Sequence, residues 1–175
     1  MVWPFSDRGS VTAESLLGER ASGRSSGSSS TVSRSQALRN STYWAGLRLR
    51  ADLLSTMPVD VFKRVGGIQV EQVKPPVFQE PGGRECRWVQ FADSTQRDLD
   101  SLGNTVGLIK ALDGFGKPAL IELMAVEQVG VRGKGGKIAE WVIDNKAYDP
   151  MMIRHEKSKP MSGGPLGLSP TAFGA

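Results

Sequence analysis

Beyond residue 103 the chain is cut by glycine into short apolar runs, and this punctuation restricts its fold more than anything else in the sequence. The segments "TVGLIKAL", "DGFGKP", "ALIELMAV", "EQVGVR", "GKGGK" and "IAEWVID" succeed one another. Runs this short and rich in Val, Ile and Leu read as strands, and the glycine-bearing breaks between them read as turns. Strands joined by such turns pair with their sequence neighbours, so a mostly antiparallel sheet is expected.

Two helical stretches precede the strands. From Ser35 to Pro58, "SQALRNSTYWAGLRLRADLLSTMP" repeats Leu38, Ala45, Leu49 and Leu53 at spacings of seven, four and four. Trp44, Leu47, Ala51 and Leu54 widen that stripe, which predicts one helix with these residues facing a core and Pro58 ending it. "PVDVFKRVGGIQVEQV" then reads as a β-hairpin turning at Gly66-Gly67, and "KPPVFQEPGG" as a loop. A second helix is expected from Glu85 to Leu102, with Trp88, Phe91, Ala92, Thr95, Leu99 and Leu102 on one face and Gly103-Asn104 as its stop. Helices succeeded by glycine-linked strands define an α+β class, helices packed on a mostly antiparallel sheet.

Composition agrees with a loop-rich mixed fold. Of 175 residues, 21 are glycine and 10 proline, while 39% are hydrophobic, enough for a core but unsuited to an all-helical protein. The apolar runs, such as "LIELMAV", are far too short to span a bilayer, and "MVWPFSDRGS" lacks the basic-then-apolar pattern of a signal peptide, so a soluble chain without a membrane partner is expected. Cys86 is the only cysteine and His155 the only histidine. An intrachain disulfide and a Cys/His zinc cluster are thereby excluded.

Charge separates the N-terminal part from the rest. The net charge is +4, yet from Arg20 to Ala51 there are six arginines (20, 24, 34, 39, 48 and 50) and no acidic residue. Within it, "RASGRSSGSSSTVSRSQ" cannot bury enough apolar surface to offset the entropy of ordering it. Residues 1–34 are therefore read as a Ser/Gly/Arg-rich arm, flexible when isolated, and residues 35–175 as the α+β domain. At the arm's tip Trp3, Phe5, Leu16 and Leu17 stand in a polar tail and suggest docking onto a neighbour. Arg20, Arg24, Arg34 and Arg39 are candidate contacts to phosphate or to an acidic surface; a solvated basic tail is the plainer alternative.

No set of residues assembles into an enzyme. "GVRGKGGKI" resembles a phosphate loop only in part, because Lys137 is followed by Ile138 where a Ser or Thr hydroxyl is needed, and its flanks read as strand and strand. A hairpin turn is the better reading, with nucleotide hydrolysis at Lys137 ranking third among the functions considered. Asp98 and Asp100 lie two apart on a helix, where side chains do not face each other, and like Glu122 and Glu127 they read as solvated charge. His155 reads as structural. Cys86, beside Arg87, lacks the second histidine or thiol that catalysis would require. No cofactor and no metal is expected.

The chain closes on "PMSGGPLGLSPTAFGA", in which Ser169-Pro170 has the form of a helix start with little chain behind it. Taken in order, the segments "STYWAGLRLRADLLSTMPVDVFKR", a proline-rich link, "LDSLGNTVGLIK", "DGFGKPALIELMAVEQVGVR", "AYDPMMIRHEK" and "GGPLGLSPTAF" resemble the portal proteins of tailed double-stranded DNA bacteriophages of the long-tailed siphophage type. The family's Gly-Asn after the second helix is matched by Gly103-Asn104, its strand ending in Ile-x-His by Ile153-Arg154-His155, and its Gly-Leu-Ser-Pro turn by Gly167-Leu168-Ser169-Pro170. The likeness extends over residues 36–174.

That resemblance implies an N-terminal arm and much of a wing domain, with stem, clip and tunnel loop lying beyond the residues present. It implies a homo-oligomeric ring, commonly of twelve subunits, at one capsid vertex of the virion. Its partners would be the major capsid protein, the terminase motor, a head–tail adaptor and, non-specifically, double-stranded DNA, with assembly in the host cytoplasm. The alternative from another class is a stand-alone basic nucleic-acid-binding module whose arm folds on its target.

Overall fold

Asn40 sets the first long helix. The computed structural model describes residues 34–134, 137–160 and 164–170, together with the backbone of Val11–Thr12 (β1). A single turn, α1 (Arg34–Ala37), precedes α2 (Ser41–Ser55), and between them Asn40 is extended (φ −77°, ψ 116°) with its side chain accepting hydrogen bonds from the amides of Thr42 and Tyr43 at 3.0 and 3.1 Å. The continuous helix expected from Ser35 to Pro58 is thus broken. An asparagine that satisfies free amides at a helix start out-competes propagation through that point.

The core face of α2 also differs from the expected one. Leu47, Ala51 and Ser55 are buried, whereas Leu49 and Leu53 are 61% and 59% exposed and Trp44 and Leu54 are also exposed. Small side chains at Ala51 and Ser55 let α2 lie close against α3 (Trp88–Leu102), and a stripe of leucines there would hold the two helices apart. Ser55 donates to the Asp52 carbonyl, so its burial leaves no hydroxyl unsatisfied. Helix α3 begins at Trp88, after a short 3-10 turn at Gly83–Glu85, rather than at Glu85 as expected. Of its expected face, Phe91, Thr95 and Leu102 are buried.

All strand pairings among the described residues are antiparallel. The hairpin β2 (Val61–Val65) and β3 (Ile68–Gln72) stands apart from the other strands. The expected single sheet is divided in two. One has the order β5-β4-β9, with β4 (Asn104–Leu112) between β5 (Pro118–Met124) and β9 (Ile153–Lys157). The other has the order β1-β6-β7-β8, with β6 (Val129–Lys134), β7 (Lys137–Ile143) and β8 (Lys146–Tyr148). β7 and β8 turn at Asp144-Asn145, both with positive φ (50° and 61°), the geometry of a two-residue hairpin turn whose residue types tolerate it.

The sheets meet face to face. Val106 and Leu108 of β4 and Ile153 of β9 pack on Val129, Val131, Trp141 and Ile143 of the second sheet. On the opposite face of β4, Ile109 packs with Phe91 of α3 and Ile121 of β5. β4 is therefore covered on both sides, and its first six residues, Asn104–Ile109, are all buried. Alternate residues of one strand supply two different cores, giving three layers of helices, three-stranded sheet and second sheet.

Truncating Leu47 to Ala is expected to cost about 2–4 kcal/mol, as for a buried leucine, and truncating Leu53 less than about 1 kcal/mol. Urea midpoints of the two variants check this, and a larger loss at Leu53 would restore the face expected from the sequence.

Candidate functional site

Helix α3 ends at Gly103, and the residues around this cap hold the last described stretch of chain. Gly103 adopts φ +75° as a left-handed helix cap, its amide donating to the Leu99 carbonyl at 3.1 Å. A β-carbon at Gly103 would lie 1.9 Å from the Leu168 carbonyl oxygen, so only glycine lets the two backbones meet. The same holds in reverse at Gly167, where a β-carbon would lie 2.3 Å from the Gly103 carbonyl oxygen and 2.4 Å from that of Ser158.

Asn104 is the centre of the junction. Its side-chain amide donates to the carbonyls of Leu102 (3.2 Å) and Gly167 (3.0 Å), and its oxygen accepts from the Gly167 amide (2.8 Å). These contacts fix the orientation of the amide, so His155 Nε2, 3.1 Å from the same oxygen, must carry the proton and donate. The His155 ring also meets Trp141 edge-on, with centroids 4.9 Å apart. Burial holds its pKa down to about 4, with Lys157 adding to the depression and Glu156 opposing it, so the ring is neutral near pH 7. Two residues past Gly167, Ser169 Oγ donates to the Ser101 carbonyl at 3.1 Å, and Ser158 donates its amide to the Gly103 carbonyl at 2.8 Å. The motif residues Gly103, Asn104, His155, Gly167 and Ser169 thus converge from three separate stretches of sequence, and Pro170, already helical, continues from them. Such a clamp fixes the backbone of residues 167–169 against the end of α3 and the start of β4.

The start of the body is held in a comparable way. Arg34 pairs through Nη1 with Glu127 and through Nη2 with Asp98 at 3.2 Å. Burial lifts the Asp98 carboxyl to about 6, Arg34 opposing that rise and Glu127 adding to it. Asp100, with a side chain only 9% exposed, pairs with Arg50 at 3.1 Å. The reading of Asp98 and Asp100 as solvated charge is accordingly corrected: both bind the α1–α2 segment to α3. These pairings, 64 positions apart for Arg34 and Asp98, have no local signal in the sequence. Asn40 had one, being an asparagine directly ahead of a helical run.

Arg39 is exposed, while Arg20, Arg24, Trp3, Phe5, Leu16 and Leu17 lie outside the described residues. The lysine-glycine segment joins β6 to β7, with strand on each side and Lys137 exposed as the first residue of β7. Burial pushes the Cys86 thiol up, away from reactivity. Among the described residues no helix is long and apolar enough to cross a membrane, and no group of His, Cys, Asp and Glu could hold a metal ion.

Two elements carry exposed apolar side chains. Leu49, Leu53 and Met57 on and just after α2 are exposed, as are Phe62, Val65, Ile68 and Val70 on the hairpin. A two-stranded hairpin is marginally stable without a third strand or a covering element.

No protein-family model and no curated protein matches the sequence. Solved structures do. An HK97-family phage portal protein from Corynebacterium diphtheriae superposes with a TM-score of 0.55 at 18% identity, over 77% of this chain and 42% of that one. A chain of the virion of a native gene transfer agent particle gives 0.58 at 14% identity, over 91% and 44%. A chain from the neck of that native particle, computed with C12 symmetry, gives 0.56 at 16% identity, over 89% and 43%. The protein has the portal-type α+β fold, and it spans less than half the length of these chains.

Replacing Asn104 with Ala strips the buried Gly167 amide and carbonyl of their partner and is expected to cost roughly 2–4 kcal/mol. His155 and Asp98 act in opposite directions with pH. The His155 contribution is complete above the ordinary histidine value of 6.5 and is lost as pH falls toward 4, whereas the burden of ionising Asp98 is relieved as pH falls below 6. In thermal melts from pH 7 to 4, His155→Gln should therefore lose less stability on acidification than the wild type; an identical pH profile would show that His155 is not held neutral.

Proposed function

We propose that this chain supplies the arm (residues 1–34) and wing-like domain (35–175) of a phage portal subunit. In this reading it is a structural protein of the virion, without a catalytic step, that builds a ring at one capsid vertex. Double-stranded DNA is packaged and ejected through the ring, and the head–tail connector attaches to it. The observation that carries the reading is the shared fold over 77% to 91% of this chain with a portal protein and with chains of gene-transfer-agent particles. A particle neck of C12 symmetry among them supports a ring of about twelve.

The geometry suits that task. A closed ring with one kind of subunit uses head-to-tail contacts, so each subunit needs two different, complementary patches. The exposed faces of α2 and of the β2–β3 hairpin supply apolar surface for one of them. The clamp around Asn104 fixes the direction in which the chain proceeds from Ser169-Pro170, as a subunit whose neighbours must superimpose by one rotation requires. Arg20, Arg24 and Arg39 serve non-specific contacts to phosphate or to acidic protein surface, while Arg34 is already engaged by Asp98 and Glu127. Capsid protein, terminase motor and head–tail adaptor are the expected partners.

Light scattering and negative-stain imaging of the native gene product test this. Rings of about a dozen subunits, each heavier than 18.9 kDa, are expected, and a compact monomer of 175 residues would overturn the reading in favour of a nucleic-acid-binding module. Ile68→Asp combined with Leu53→Glu should reduce the yield of rings while leaving the circular dichroism of the subunit unchanged.

A further inference from the structure

We propose that β1 is an exchanged strand: in the ring, Val11–Thr12 of one copy pairs with Gly130–Val131 on the β6 edge of the next copy. The inference rests on the ring reading above and adds the contact that links the subunits.

The first observation is the pairing itself. β1 joins the outer edge of β6, with Val11 opposite Val131 and Thr12 opposite Gly130, and nothing else in the described chain pairs with that edge. The ladder is two residues long. Its few hydrogen bonds are the same whichever copy supplies the strand, so the pairing holds no preference for its own chain.

The second observation concerns the joint between β1 and the body. Arg34, where the described body begins, is bound to Glu127, which lies three residues before Gly130. Both ends of the joint are therefore anchored along one five-residue stretch, 127–131, which spans at most about 13 Å. The joint itself, residues 13–33, has 21 residues and a reach of roughly 70 Å when extended. Connections between neighbouring elements ordinarily take about four to six residues. A joint several times longer than its own fold requires is suited to span to a neighbour, and its Ser/Gly-rich sequence from Arg20 onward opposes no such path.

Ring closure then favours exchange. A neighbour held at fixed distance presents its β6 edge at high effective concentration, and the cost of closing a longer loop rises only slowly with its length. Exchange repeated round the ring covers every β6 edge with a strand and leaves no partner over, which also removes an edge open to wrong pairing. Pairing within one chain satisfies the same edge but links nothing.

The test uses the full-length gene product with Cys86→Ser and paired cysteines, Val11→Cys with Val131→Cys and, separately, Thr12→Cys with Gly130→Cys. Rings are first verified by light scattering under reducing conditions, then oxidised, denatured and run on non-reducing gels. The expected result is loss of the monomer band and a ladder of covalent multimers from at least one pair, absent when only one cysteine of a pair is present. Verified rings that yield only an internally bridged monomer, or no bridge from either pair, overturn the exchange and leave the ring reading intact. Absence of rings under reducing conditions, when the Cys86→Ser protein alone also forms none, counts against the ring reading itself.

Discussion

β4 is paired on both edges and covered on both faces, and the remaining elements take their places from it. Its even residues Val106 and Leu108 face the second sheet while Ile109 faces Phe91 of α3, so one strand supplies two cores. Gly107, between them, admits the close approach of Ile121 from β5, whose methyl would lie 2.5 Å from a β-carbon there. Loss of this strand would separate the helices from the second sheet. That dependence explains why the junction residues cluster at its first position. Asn104, 1% exposed, is at once the start of the central strand and the hub that holds Gly167.

The body is thus fastened at two ends by different means. At its start the fastening is electrostatic: Arg34 reaches Asp98 and Glu127, groups on a helix and in the turn before β6, and its strength depends on the charge of a carboxyl whose burial has raised it into the weakly acidic range. At its end the fastening is a neutral hydrogen-bond network around Asn104, supported by two close backbone contacts that only glycine allows. A joint of the first kind is weakened by salt, and one of the second kind yields when His155 is forced to charge.

The surface carries the complementary message. Helix α2 presents leucines away from its own core, and the β2–β3 hairpin has apolar side chains without a covering element. A single subunit gains little by exposing them.

What the sequence determined by itself was the inventory of elements and their kind. Glycine punctuation after residue 103, Pro58, the Gly66-Gly67 turn and the face of α3 marked by Phe91, Thr95 and Leu102 are local signals, and local backbone sterics and periodicity decide them. The motif order carried the resemblance to portal proteins, and it singled out Gly103, Asn104, His155, Gly167 and Ser169 without saying that they meet. Tertiary structure alone decided that they do, that the strands outside the β2–β3 hairpin form two sheets and not one, and that α2 turns Leu47, Ala51 and Ser55 inward while Leu49 and Leu53 face out. The reason is the same in each case. A helix with apolar residues on two faces has no preference of its own for either, a strand does not know which of its faces will be covered, and a hydrogen bond between positions 104 and 167 exists only after 63 residues have folded back.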